Sequence, residues 1–162
     1  MGKVFKFQQD VDTDQIIASQ YLLFSTIDEM KAYTFESLDP EFASKVKPGD
    51  YVVASENFGC GSSREQAPGV LKALGVQAVI AKSFARIFFR NCINIGLPIM
   101  ECPEAVAKID AGDDIDVDFA SGVIRNNTKG ESYQSEPLPE FLRNLIAQDG
   151  LVNYTKSKLQ GK

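Results

Sequence analysis

The 162-residue chain contains no histidine and no tryptophan. Without an imidazole there is no Ser-His-Asp triad, no histidine general base and no histidine-ligated metal. Any acid–base chemistry falls to Ser, Cys, Tyr, Lys, Asp or Glu. Cysteine is scarce too: Cys60, Cys92 and Cys102 are odd in number and match neither a disulfide framework nor a C-x-x-C metal knuckle. Their placement predicts that this chain alone holds neither zinc nor an iron–sulfur cluster. No apolar run approaches the roughly 18 residues that a membrane span requires. The N-terminus Met1-Gly2-Lys3-Val4-Phe5-Lys6 lacks a secretory hydrophobic region and the Ser or Thr of a myristoylation motif. A soluble, cytoplasmic protein is expected. Basic excess is absent as well, since 17 Lys and Arg face 22 Asp and Glu, leaving no positive field for nucleic acid or anionic lipid.

What is present is globular composition, 44% hydrophobic and 24% charged, which fits one domain with a real core and excludes a disordered chain. Residues 3–7 predict a short strand, and Asp10-Val11-Asp12-Thr13-Asp14 a polar turn before Ile16-Ile17 re-enter the core. Residues 19–47 are loosely patterned, with a mixed loop Tyr21-Leu22-Leu23-Phe24-Ser25, a short helix around 27–33 and a closing turn at Pro48-Gly49-Asp50. A connection this long with little structure is usually functional or mobile. Apolar runs at 51–54 and 76–81 predict two strands around a helix that ends near Leu74, with Gly75 as its cap. Ser83 is expected to cap the next helix, which carries Phe84, Ile87, Phe88 and Cys92 on one face and ends at 94–96, before a third strand at 97–100. From Asp113 onward Ile115, Val117 and Phe119 alternate with Asp114, Asp116 and Asp118, and Gly122 followed by Val123-Ile124 completes a predicted hairpin. Phe119 stands where a calcium loop needs glycine, so strand alternation explains these aspartates. Segments 137–148 and 151–158 predict terminal amphipathic helices. The fold class is α/β with a mixed sheet.

Candidate chemistry gathers in Gly59-Cys60-Gly61-Ser62-Ser63-Arg64-Glu65, between a strand end and a helix start. Glycines permit a tight turn with positive φ, and the first amides of a helix stabilise an anion held in such a loop. Ser62 with Glu65, or Ser63 with Gln66, also fits a capping box, so a purely structural cap is the competing reading. Pro68 predicts an irregular first turn. The string is no P-loop, lacking Gly-Lys-Ser/Thr, and no dinucleotide fingerprint, because Arg64 replaces the third glycine. Cys60 sits where a depressed thiol pKa would make a nucleophile, although no base is visible to activate it. Arg86 and Arg90 share a helix face and read as a solvated or subunit-facing pair.

The segment Asn57-Phe58-Gly59-Cys60-Gly61-Ser62-Ser63-Arg64-Glu65-Gln66-Ala67 is followed by Ala81-Lys82-Ser83-Phe84-Ala85-Arg86-Ile87 and Asn94-Ile95-Gly96-Leu97-Pro98. In this order it resembles the swivelling domain of the aconitase superfamily. Asp12-Thr13-Asp14-Gln15-Ile16-Ile17 resembles that family's first motif, so the resemblance spans roughly residues 3–125. As a free-standing chain it is similar to the small subunits of isopropylmalate isomerase and homoaconitase. The resemblance implies a single swivelling β/β/α domain over residues 1–162 with C-terminal helices, aconitase C-terminal-domain-like. It implies a hydro-lyase of leucine biosynthesis that interconverts 2- and 3-isopropylmalate, or a related dehydratase acting on citraconate or methylmalate, 2,3-dimethylmalate or homoaconitate. Activity would require a large subunit bearing a [4Fe–4S] cluster, in a heterodimer or heterotetramer, with no metal or cofactor in this chain.

The same resemblance makes Ser62 the catalytic base and Ser63 and Arg64 a substrate-carboxylate clamp, and adds Asp14 to the site; a turn-serving aspartate is the alternative there. Gln15 falls where single-chain members tend to carry histidine. Leu22, Leu23 and Phe24 would face the part of the substrate that varies between members. Those accepting a further carboxylate carry an arginine in this loop, so leucines imply an alkyl group, with Leu23 the aligned position. The competing reading is that these residues anchor the loop on the core. Rival functions are a non-catalytic carboxylate-binding module and a thiol enzyme built on Cys60.

Overall fold

In the computed structural model, which describes residues 2–147, β1 (Gly2–Lys6), β2 (Tyr51–Ala54), β3 (Ala78–Ala81) and β4 (Ile99–Glu101) run parallel. On the other side of β1 the sheet continues as an antiparallel meander of β5 (Asp114–Asp118), β6 (Val123–Asn126) and β7 (Glu131–Gln134). The order of this seven-stranded sheet is β4-β3-β2-β1-β5-β6-β7. Helices α1 (Thr13–Ile16), α2 (Ile27–Met30), α3 (Phe42–Lys45), α4 (Gln66–Ala73), α5 (Arg86–Ile95), α6 (Pro103–Lys108) and α7 (Glu140–Ala147) complete the fold with two 3-10 turns, Ser19–Leu23 and Lys31–Tyr33. None is long and apolar enough to cross a membrane.

Strands β2 and β3 are apolar on both faces because each face meets its own core. Val52, Ala54, Val79 and Ala81 point into the first, with Val70 and Leu71 of α4, Phe88 and Cys92 of α5, and Phe35, Phe42 and Phe58. These rings meet edge to face, Phe35 with Phe42 at 4.8 Å and Phe58 with Phe88 at 5.3 Å. Tyr51, Val53, Ala78 and Ile80 point into the second core, which Ile115, Ile124 and Tyr133 of the meander and Ala105, Val106 and Ile109 close from the far side. The sheet therefore curls until its outer strands approach each other: Ser135 Oγ donates to the Glu101 carbonyl at 3.1 Å, and Cys102 Sγ lies 3.9 Å from the Gln134 carbonyl.

Several local expectations are corrected. Asp10 to Asp14 is more than a turn: Asp12 accepts from the Gln15 N–H at 2.8 Å while Gln15 Oε1 accepts from the Asp12 N–H at 3.1 Å, a capping box that starts α1. Ser83 does not cap α5, whose N-cap is Ala85 without a side-chain bond; its Oγ instead accepts from the Asn57 N–H at 2.8 Å. Val76 and Leu97 precede their strands because their N–H groups close the helices behind them, onto the Leu71 and Cys92 carbonyls, after left-handed Gly75 and Gly96. Strand β7 escapes the sequence pattern because only Tyr133 among its residues is buried. The helix expected at 151–158 lies outside the described residues.

Candidate functional site

Because β1 and β2 are parallel neighbours, the loops leaving them emerge at the same sheet edge, where open α/β sheets bind ligands. The two loops are laced together. Asp10 donates to the Glu56 carbonyl at 2.8 Å, Gly59 to Val11 at 2.7 Å and Thr13 to Cys60 at 2.8 Å, with a parallel bridge between Asp12 and Cys60. Asp10 and Asn57, both left-handed at φ 54° and 58°, are joined through their side chains at 3.1 Å. Thus the residue 10–17 and 57–65 motifs form one surface. Gly59 is required twice over: its φ is +84°, and a Cβ there would lie 2.1 Å from Phe88 Cγ.

Arg64 and Asp14 are in direct contact. Arg64 Nη1 donates to Asp14 Oδ1 at 3.0 Å and to the Ile17 carbonyl at 3.1 Å. The arginine side chain is 16% exposed and the carboxylate 61%. Asp14 also accepts from the Ser19 N–H at 3.2 Å. The Arg64 hydrogen bond, then the Ser19 N–H, hold the Asp14 carboxyl below its ordinary value, so it is ionised at neutral pH. Asp14 thus serves the local chain through the Ser19 N–H as well as pairing with Arg64, while Asp12 caps α1.

Ser62 and Ser63 are exposed on the same loop. The capping boxes open to them are not formed, since α4 begins only at Gln66 and its N-cap, Glu65, makes no side-chain bond. The helix start therefore lies beyond the serines. The Ser62 carbonyl accepts from Thr13 Oγ1 at 2.9 Å. Sequence reasoning passed over Thr13, whose only signal was its place between two aspartates of the first motif.

The Ser19 N–H ties the start of the Ser19–Leu23 turn to Asp14. Leu22 and Phe24 are half-buried against the first core, which supports anchoring for these two, whereas Leu23 is 89% exposed. Tyr21 stacks on Tyr33 at 4.1 Å, Phe24 on Tyr33 at 5.6 Å, and the Tyr21 hydroxyl donates to Glu36. A polar cleft of about 280 Å³ beside this stack is lined by Asp14, Gln15, Tyr33 and Glu36 among others. A larger cavity of about 550 Å³, lined by Val117, Phe119, Leu138 and Arg143 among others, contains no motif residue, and the smaller cleft is the one adjoining the chemistry.

The thiol reading weakens. Burial, then the charges of Asp12 and Asp10, push the Cys60 thiol up, the reverse of the depressed value expected from its position. Cys92 and Cys102 lie in the two different cores. No group of three or more potential metal ligands occurs among the described residues. Asp113 turns inward to the Asp110 N–H at 2.9 Å and the Asn126 amide at 2.9 Å, a structural use of the aspartate run.

A curled mixed sheet with a two-loop site at the β1–β2 edge defines the class of the aconitase C-terminal domain, and that family's sequence profile matches residues 25–105. The chain is 57% identical to the 3-isopropylmalate dehydratase small subunit 1 of Archaeoglobus fulgidus, over 97% of both chains. Against the 2,3-dimethylmalate dehydratase small subunit of Eubacterium barkeri it is 59% identical over 94% of both. The crystal structure of 3-isopropylmalate dehydratase (leuD) from Methanocaldococcus jannaschii superposes with a TM-score of 0.93 at 43% identity, covering 98% of this chain and 94% of that one. The chain belongs to the 3-isopropylmalate dehydratase small-subunit family.

Proposed function

We propose that this chain is the small subunit of a cytoplasmic hydro-lyase that interconverts 2- and 3-isopropylmalate in leucine biosynthesis, folded as one swivelling domain over residues 1–162. The observation that carries this reading is the assembly of the two motifs: exposed Ser62 and Ser63 stand on one loop with an Arg64 pinned by Asp14. Ser62, as an alkoxide, takes the proton from substrate carbon. The C–H electrons form the C=C bond as hydroxide leaves the neighbouring carbon, and rehydration reverses both steps with the hydroxyl at the other carbon. An alkoxide is too basic to persist at neutral pH without nearby donors and positive charge, and this reading gives that role to the loop amides and the adjacent Arg64 guanidinium. Arg64 spends Nη1 on Asp14 and Ile17. Its Nε and Nη2 donate to nothing among the described residues and form the edge suited to a bidentate carboxylate, with Ser63 as a further donor. Leu23 covers the isopropyl group, while Leu22 and Phe24 hold its turn in place.

This reading assigns the [4Fe–4S] cluster to the large subunit, in a heterodimer or heterotetramer; in this chain Cys92 and Cys102 lie in different cores. Bound there, the cluster would supply a Lewis acid for the leaving hydroxyl. A second reading, 2,3-dimethylmalate dehydration, is favoured by the Eubacterium barkeri relative, and an apolar Leu23 suits methyl groups equally. Acids with a further carboxylate at this position are disfavoured, since its desolvation would go uncompensated.

The test is anaerobic reconstitution with the cognate large subunit, followed by kcat/KM for 3-isopropylmalate and 2,3-dimethylmalate. The assembled enzyme should prefer isopropylmalate, and the isolated chain should bind no iron and turn over neither acid. Preference for dimethylmalate would select the second reading; carboxylate binding without turnover by the assembled protein would make this chain a binding module.

A further inference from the structure

We infer that Thr13 is a positioning residue for Ser62, an inference that rests on the reading of Ser62 as the base. Thr13 is 3% exposed, yet both of its donors serve the neighbouring loop. Its N–H binds the Cys60 carbonyl at 2.8 Å and its Oγ1 binds the Ser62 carbonyl at 2.9 Å. These two carbonyls flank Gly61, the joint that gives the loop its freedom, at φ +96° and without a Cβ. One residue therefore spans Gly61, holding the Cys60–Gly61 peptide before it and the Ser62–Ser63 peptide beyond it.

Arg64 is held independently, by the Asp14 carboxylate and the Ile17 carbonyl. Consecutive residues of α1 thus divide the work: Thr13 faces inward and fixes the base, while Asp14 faces outward and fixes the clamp. The helix is itself fixed by the Asp12–Gln15 capping box and by Ile16 and Ile17, which are fully buried. Loss of the Thr13 hydroxyl accordingly frees Ser62 without freeing Arg64. Ser62 is exposed, so water can satisfy its carbonyl and the fold survives, but the base loses its aim. Misplacement of a reacting group by about 1 Å costs on the order of 100-fold in rate.

The experiment uses the reconstituted two-subunit enzyme with 3-isopropylmalate and compares wild type, Thr13→Val, Thr13→Ser and Ser62→Ala. Thr13→Val keeps the shape and removes the donor, and should lower kcat by about 10–100-fold while KM stays within about threefold. Thr13→Ser, which restores the donor without the methyl group, should recover kcat to within about threefold of wild type. Should Thr13→Val fail to assemble, Thr13→Ala carries the same comparison. Near-normal kcat in the donor-less variant, a rise in KM in place of the fall in kcat, or Thr13→Ser as slow as Thr13→Val would each overturn the inference. Ser62→Ala separates the two levels. If it is slow while Thr13→Val is fast, only the positioning role fails; if Ser62→Ala itself turns over normally, the assignment of the base fails.

Discussion

Replacing Gly59 with alanine introduces one methyl group at the point where the site loop crosses the helix layer. An ideal Cβ there falls 2.1 Å from Phe88 Cγ, 2.5 Å from its Cβ and 2.6 Å from Cδ1. Phe88 has little room to yield, being buried in the first core between Phe58 at 5.3 Å and Phe84 at 6.3 Å. Overpacking of this kind costs about 1–3 kcal/mol, and a left-handed backbone adds about 1–2 kcal/mol for a residue with a Cβ, giving about 2–5 kcal/mol together. For a chain of this length that corresponds to a fall in Tm of about 4–20 °C. Gly112→Ala is the control, because its φ of +87° is nearly the same and nothing lies within 4 Å of the added atom. It should lose only the backbone part, about 1–2 kcal/mol. Thermal unfolding of the isolated chain, followed by circular dichroism, measures both. Adding Phe88→Leu to Gly59→Ala should cost less than the two single changes summed, since the smaller side chain relieves the clash. If Gly59→Ala melts no lower than Gly112→Ala, the close packing of this loop on α5 is wrong.

Ser62→Ala in the assembled enzyme should lower kcat by about 10²–10⁴-fold with subunit association unchanged, as read by turnover and size exclusion. Arg64→Lys should chiefly raise KM, since an ammonium cannot reproduce a bidentate guanidinium clamp; an unchanged KM would remove Arg64 from substrate binding. Leu23→Arg alters an exposed position and should leave the fold intact, lower kcat/KM on isopropylmalate and raise relative activity on homoaconitate-type acids. A constant ratio between the two acids would show that this turn does not choose the substrate. Acid stability should depend on Asp113: burial pushes its carboxyl up, but the Asp110 N–H, the Asn126 amide and Lys129 outweigh this and leave it below the ordinary value. With the folded-state value lowered, the stabilisation is fully present above the unfolded-state value of about 3.9 and is lost as pH falls through the folded-state value. Asp113→Asn should therefore flatten the fall in Tm below about pH 4, and an unaltered acid limb would count against the role of Asp113.

The pattern of the chain determined most elements because burial within a strand or helix leaves a local trace. Residues 51–54 and 78–81 are apolar at every position and proved to be inner strands with a core on each face, while Ile115 and Val117 alternate with aspartates along β5, which turns one face to the second core. The Ser62-Ser63-Arg64 string and the motif around Asp14 likewise marked a candidate site in the sequence, and the absence of histidine restricted which residues could do acid–base chemistry there. Other features depended on partners far along the chain. Strand β7 carries one buried residue and exists because β6 pairs with it; Ser83, a plausible cap by position, is taken by Asn57; Ser62 and Ser63 fit a capping box until α4 is seen to start at Gln66. The contact of Asp14 with Arg64 spans fifty residues, and the bond from Thr13 to the Ser62 carbonyl forty-nine. Neither leaves a periodic signal, because both arise from the parallel register of β1 on β2, which brings two loops of unrelated sequence to one edge of the sheet. Local patterning records which side of an element is buried, whereas which loops meet is fixed only when the strands pair.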